Sequence, residues 1–139
     1  MTVTFTIPGQ PQGKGRPRVG RIGTAARMFT PAKTVAYEGL IAHAAQSAMA
    51  GRPMFEGPVV VDMELHCQVP ASWSKKKQAA ALAGELLPTT KPDIDNVVKA
   101  VFDGCNGVLW RDDVQAYRLS VVKRYSAMPG VVVTAEAAA

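Results

Sequence analysis

Through residues 59–69 the apolar side chains Val59, Val61, Met63, Leu65, Cys67 and Val69 alternate with Val60, Asp62, Glu64, His66 and Gln68. A period of two gives a strand with one buried and one wetter face, and Pro70 ends it. Residues 3–7 alternate β-branched and aromatic types and stop at Pro8-Gly9, which predicts a shorter strand and a turn. A helical period follows Thr30-Pro31. Tyr37, Leu40, Ile41, Ala44, Ala45 and Ala48 recur at helical spacing until Gly51, with Thr30 suited to cap and Pro31 to the first helical position. Ser72 or Ser74 caps a short helix through about Ala83, stopped by Gly84. From Asn96 to about Cys105, Val97, Val98, Val101, Phe102 and Cys105 share one helical face and leave Asn96, Lys99 and Asp103 on the other. Residues 114–125 read as a strand that turns at Met128-Pro129-Gly130 into a last strand, residues 131–134.

These elements predict an α+β fold: a single domain over residues 1–139, with a small mixed β-sheet packed against about three helices. At 139 residues, one core suffices without a disulfide framework. Residues 9–29 are rich in glycine, proline and basic side chains and are expected to form a flexible loop. The alanine-rich tail, residues 135–139, is expected to fray. The N-terminal MTVTFTIPGQ has neither the basic region nor the apolar region of a secretory signal, and no apolar run is long enough to span a membrane. The expectation is a cytoplasmic protein that does not enter the membrane. Cys67 and Cys105 fit that compartment as thiols, and neither has a zinc-type partner spacing.

Charge narrows the classes further. The formal net charge is +5, and Lys14, Arg16, Arg18, Arg21, Arg27 and Lys33 all precede the first acid, Glu38. Such a block draws polyanions by counterion release. The glycines and arginines of Gly13-Lys14-Gly15-Arg16-Pro17-Arg18 lack the spacing of a nucleotide phosphate loop. They suit a DNA-contacting arm, because glycine lets backbone approach closely and arginine forks onto phosphate oxygens. Lys14, Arg16, Arg18 and Arg21 are the candidate contacts there, joined by Lys75, Lys76 and Lys77. The last three fall in the first turn of a helix, where cations oppose the helix dipole unless an anion lies near.

Against this basic background, five of the six aspartates fall between positions 93 and 113: Asp93, Asp95, Asp103, Asp112 and Asp113. Packing like charges together is costly unless a cation neutralises them. If Pro92 extends the chain through Asp93, Ile94 and Asp95, both carboxylates lie on one side with Ile94 buried opposite. Asp95 or Asn96 then caps the helix, and Lys99 lies one turn on. Asp112 and Asp113 precede a strand, where adjacent side chains point to opposite faces, so one of them joins the pair and the pattern leaves open which. Three carboxylates and water suit magnesium, which can activate water and stabilise the leaving alkoxide of a phosphodiester. The alternative is that Asp95 caps a helix, Asp93 belongs to a turn, and Asp103 and Asp112 lie on solvated surfaces. Trp110 suits the core better than base stacking, and neither His43 nor His66 has a partner for nucleophilic catalysis.

KPDIDN at residues 91–96, Lys99, Asp103 and the W-x-DD-x-Q run at residues 110–115 resemble the RusA-type endodeoxyribonucleases that resolve Holliday junctions. PGQPQGKGRPR, FTPAKTVAYE and PASWSKKK follow the same family's order, so the resemblance covers nearly the whole chain. It implies Asp93, Asp95 and Asp113 as magnesium ligands, with Asp112 a further contributor, manganese able to substitute, and Lys99 as the catalytic lysine. It also implies paired symmetric cuts in four-way branched DNA that leave a 5′-phosphate and a 3′-hydroxyl. The setting is recombination and repair, often phage or prophage encoded. A two-fold junction needs two matched sites, so a homodimer follows. The rival readings are a non-catalytic nucleic-acid-binding protein and a metal-dependent nucleotide phosphohydrolase.

Overall fold

A computed structural model describes residues 1–15, 18–22, 25–29 and 31–139, with backbone alone for 18–22 and 25–29. Strand β1 (Thr2–Pro8) buries Val3, Phe5 and Ile7 and turns its threonines outward. Strands β2 (Arg18–Ile22) and β3 (Ala25–Phe29) pair antiparallel as a separate two-stranded sheet. Helix α1 (Ala32–Met49), strand β4 (Val59–Gln68), helix α2 (Lys75–Leu82) and helix α3 (Ile94–Cys105) follow. A 3-10 turn at Asp113–Gln115 leads into β5 (Ala116–Ser126) and β6 (Gly130–Ala137).

The main sheet has the order β1-β6-β4-β5. β6 runs antiparallel to both β1 and β4, whereas β5 runs parallel to β4. A parallel pair requires a long crossover, and the segment containing α2 and α3 supplies it. One face of the sheet is the core. Val59, Val61 and Leu65 of β4 are fully buried beside Val131, Val133 and Ala135 of β6, and α1 and α3 close over them with Ile41, Ala45, Val97 and Val101. α1 packs against α3 and β1. The helices approach closely at Gly104, where a Cβ would stand 2.7 Å from Ile41 Cγ2 and 3.1 Å from the Glu38 carbonyl oxygen. The α+β class, the single small domain, the mixed sheet and the three helices are as the sequence predicts.

Several boundaries differ. The segment read as a loop through residue 29 contains the β2–β3 hairpin, because short strands without clear alternation leave little pattern to read. The tail does not fray at residue 135: Ala135 pairs with Val3 and Val61, and Ala137 with Val59, so backbone pairing rather than side-chain bulk holds the alanines. Pro31 is the N-cap of α1 rather than its first helical residue, while the predicted cap Thr30 lies outside the described residues. Leu40 is 37% exposed instead of packed. Ser74 rather than Ser72 caps α2, accepting from the Lys77 backbone N–H at 3.2 Å.

Candidate active site

The aspartates of KPDIDN sit where α3 begins. Asp93 is its N-cap, without a side-chain cap bond, and its carbonyl accepts from Val97 N–H at 3.1 Å. The expected extended Asp93-Ile94-Asp95 pair therefore gives way to a helix start: Ile94 and Asp95 occupy the first turn, and Ile94 is 40% exposed rather than buried. The apolar period of Val97, Ala100 and Val101 extends back to Ile94, and aspartate suits the cap position. The bond from Lys91 to Pro92 is cis. Asp95 lies four residues before Lys99, side by side on the exposed surface of α3. Neither Asp93 nor Asp95 has an ion-pair partner among the described residues.

Residues 10–15 are laid across this end of α3. Lys14 N–H donates to the Asn96 carbonyl at 3.1 Å, and Gly15 N–H to Thr34 Oγ1 at 2.8 Å. A Cβ at Gly13 would stand 2.9 Å from Asn96 Cβ, so glycine permits the close contact. Gln10 Oε1 accepts from Gln68 N–H at 2.6 Å. This part of the predicted flexible arm is thus pinned to α1, α3 and β4. Between it and α3 lies a cleft lined by Gln10, Lys33, Lys91, Asp93 and Asn96.

The proposed phosphate contact Lys14 is committed elsewhere. Its ammonium donates to Asp103 and stands 3.2 Å from Glu38 Oε1, joining α3 to α1. Asp103 is correspondingly not a free surface acid. The hydrogen bond to Asp103 holds the Lys14 pKa above its ordinary 10.5 against the opposing effect of burial, with Glu38 adding to the rise. A raised folded-state pKa means that this contribution to stability is complete below about pH 10.5 and is lost as pH rises through the folded value. Thermal melts across pH 8 to pH 11.5 should show an alkaline loss of stability in the parent protein that is smaller in Lys14→Met, which is already destabilised at pH 8. Equal alkaline slopes would remove this role.

Of the other predicted DNA contacts, Arg16 lies outside the described residues, as do the side chains of Arg18 and Arg21. Lys75, Lys76 and Lys77 are exposed on α2, and Lys77 Nζ lies 4.1 Å from the centre of the Trp73 ring. They do not line the cleft at Asp93. His66 meets Glu64 at 3.7 Å on the face of β4 away from the helices, and His43 is exposed on α1.

The second acidic group stands at the other end of α3. Asp112 caps the 3-10 turn by accepting from Val114 N–H at 3.2 Å, and Gln115 Oε1 reciprocates by accepting from Asp112 N–H at 3.4 Å. Gln115 Nε2 anchors the turn to the Phe55 carbonyl at 2.8 Å. With Asp112 engaged in capping, Asp113 is the more available acid. Its Oδ2 receives Asn106 Nδ2 at 3.4 Å, and Asn106 Oδ1 accepts from Trp110 Nε1 at 2.8 Å. Trp110 is fully buried, as predicted, and meets Phe102 edge to face at 5.3 Å.

Asp93 and Asn106 bracket a helix of 12 residues, about 18 Å long at 1.5 Å per residue. Oxygens bound to one magnesium ion lie about 2 Å from it. Among the described residues, no three His, Cys, Asp or Glu side chains are grouped closely enough to hold a metal ion. The donor chemistry of Asp93 and Asp95 suits a hard cation, and α3 places Asp113 away from them within one chain.

Three lysines near Asp93 are not among the contacts the sequence singles out, although Lys33 belongs to its basic block and Lys91 to KPDIDN. Lys33 and Lys91 line its cleft, and Lys123 of β5 donates to the Thr90 carbonyl at 2.5 Å, tying the strand to the segment before α3. Lys91 opens the KPDIDN run itself, and that is its signal in the sequence. Lys123 had none, since it lies distant in the chain.

Among the described residues, no helix is long and apolar enough to cross a membrane. A protein named YqaN from Bacillus subtilis (strain 168), described as uncharacterized, is 39% identical over 131 residues, covering 93% of this chain and 92% of that protein. Residues 8–136 match the family model described as Endodeoxyribonuclease RusA. That match spans the loop, the cleft, both ends of α3, strands β4 and β5 and nearly all of β6. The chain therefore belongs to the RusA endodeoxyribonuclease family, which implies a Holliday junction resolvase endonuclease.

Proposed function

We propose that the protein is a magnesium-dependent, structure-selective endonuclease that resolves four-way DNA junctions by paired symmetric cuts, acting as a homodimer in recombination and repair. The observation that carries this reading is the placement of Asp93 and Asp95: exposed at the start of α3, without cationic partners among the described residues, beside a cleft lined by Lys33 and Lys91. Asp93 and Asp95 would hold the ion, and Asp113 is the proposed third carboxylate. Because α3 keeps Asp113 at its far end, a second copy is the source of that third group. When bound, magnesium supplies Lewis-acid stabilisation of the phosphodiester and a more acidic water.

The chain's own residues supply the rest. Lys33 and Lys91 draw the strand along the cleft and position its phosphates. Lys99, one turn beyond Asp95, balances charge developing on the attacked phosphate. A cytoplasmic setting fits a DNA substrate, and a phage or prophage origin fits the family resemblance.

The test is incubation of the purified protein with a labelled four-way junction and a matched linear duplex, with and without magnesium. Symmetric nicks confined to the junction and to the magnesium-containing reaction are the expected result. Equal cutting of junction and duplex would remove junction selectivity, and binding without cutting under any metal condition would favour a non-catalytic binder.

A further inference from the structure

A second groove lies between the end of α2, residues 83–91, the start of α3 and the second half of β5. Lys91 and Asp93 line both this groove and the cleft beside residues 10–15, so the two meet at a candidate metal ligand. Its volume is about 1180 Å³, more than the roughly 300 to 1,000 Å³ of a pocket for one small ligand. Four of the twelve exposed large hydrophobic side chains among the described residues line it: Leu82, Leu87, Ile94 and Val122, exposed by 50%, 65%, 40% and 41%. Such a concentration marks a binding surface. The charge of the groove is one-sided, because Lys91, Lys123 and Arg124 line it and Asp93 is its single acid among the described residues. Lys123 gives one donor to the Thr90 carbonyl, and an ammonium has others to give. Arg124 meets Glu64 at 3.3 Å and stays half exposed. Tyr125 lines the groove too and joins it to α2, since it meets Trp73 edge to face at 5.3 Å and Lys77 lies over the Trp73 ring. Lys75 and Lys76 are exposed on the same helical turn.

We infer that this groove binds an unpaired DNA strand, leading it between Asp93 and the lysines of α2 with a base stacked on Tyr125. Cations alone would fit a duplex equally well, but a duplex hides the faces of its bases in the stack. An apolar wall with an aromatic side chain rewards only bases whose faces are exposed, and aromatic stacking beside a basic track is the chemistry of single-strand binding. The groove also accounts for Lys75, Lys76 and Lys77, which the cleft does not reach: phosphates of the departing strand would offset cations that otherwise oppose the dipole of α2. This inference rests on the proposed function and narrows its substrate class. The preferred branch point carries several unpaired nucleotides beside the cut.

The test is titration of the intact protein with a short labelled oligothymidylate, without divalent metal, followed by fluorescence anisotropy. Binding should also quench tryptophan emission, because Trp110 is fully buried whereas Trp73, the other of the two tryptophans, is partly exposed beside Tyr125. Tyr125→Ala should weaken single-strand affinity about tenfold, the effect of one lost base–aromatic stack. Leu87→Glu should weaken it at least as much by setting an acid among the bases, and because Leu87 is largely exposed the fold should keep its circular dichroism. Replacing Lys75, Lys76 and Lys77 together by alanine should reduce the slope of log affinity against log salt by about 2, at roughly 0.7 for each phosphate contact. A parent protein that does not bind the oligonucleotide would overturn the inference, even if four-way junctions are cut. So would Tyr125→Ala and Leu87→Glu proteins that bind it as tightly as the parent. A change of oligomeric state in Leu87→Glu, read by sedimentation, would make the groove a contact between copies and overturn the inference as well. Single-strand binding that both variants weaken, in a protein that cuts no junction, would instead uphold the groove and remove the proposed function.

Discussion

Asp95→Asn should lower junction cutting by about three orders of magnitude while the protein remains folded and bound to DNA. The carboxylate is exposed in the first turn of α3 and has no ion-pair partner among the described residues, so the fold depends on it only through the favourable meeting of an acid with a helix N-terminus, about 0.3 to 1 kcal/mol. Asparagine keeps the shape but loses the charge that holds a divalent cation. Metal assistance supplies several kcal/mol of transition-state stabilisation, and about 4 kcal/mol corresponds to a thousandfold in rate. Junction affinity without metal should be unchanged or slightly higher, because one negative charge has left the surface beside the cleft. Asp103→Asn is the informative control, two turns further along the same helix. It breaks the pair with Lys14, so it should lower the melting temperature yet leave the cutting rate per folded molecule near that of the parent. A nearly active Asp95→Asn, or a similarly inactive but fully stable Asp103→Asn, would reverse the assignment of these two acids.

Trp110→Ala should produce the largest loss of stability of any single change considered. The indole is fully buried, meets Phe102 edge to face, and donates its N–H to Asn106. Large-to-small changes of this kind cost about 3 to 5 kcal/mol, a large part of the roughly 5 to 15 kcal/mol that stabilises an ordinary domain. At about 4 °C per kcal/mol for a domain of this size, the melting temperature should fall by roughly 12 to 20 °C. Differential scanning calorimetry measures this directly. Trp110→Phe retains most of the apolar volume and loses the N–H donor, so it should fall between parent and alanine. Its value separates packing from the hydrogen bond that fixes Asn106 beside Asp113. A drop below about 1 kcal/mol in Trp110→Ala would show that this corner of the core repacks freely.

Much of the fold is legible in the sequence. The two-residue period of Val59 to Val69, the helical period after Pro31 and the turn at Met128-Pro129-Gly130 each have a local physical cause, and each corresponds to a feature of the structure. The acids of the candidate site were legible for a related reason: aspartates gathered in a basic chain need a local explanation. Where local signals competed, the reading failed. Asp93 could serve an extended pair or a helix cap, and the neighbouring valines decided for the helix. The alanines of β6 lack side-chain pattern, yet backbone hydrogen bonds to β1 and β4 hold them in place.

Local pattern in the chain sets the main helices and strands, the charge that favours a polyanion and the acids that are candidates for chemistry, because periodicity, caps and composition act over a few residues; the β2–β3 hairpin, with no such pattern, escapes it. How those charges are used depends on packing. It sets Lys14 between Glu38 and Asp103, puts Lys33 and Lys91 on the cleft beside Asp93, ties Lys123 to Thr90, and holds Asp93 and Asp113 at opposite ends of α3. These partnerships join residues distant along the chain. Coulomb and hydrogen-bond energies depend on separation in space, which the packing of α1 and α3 on the sheet establishes.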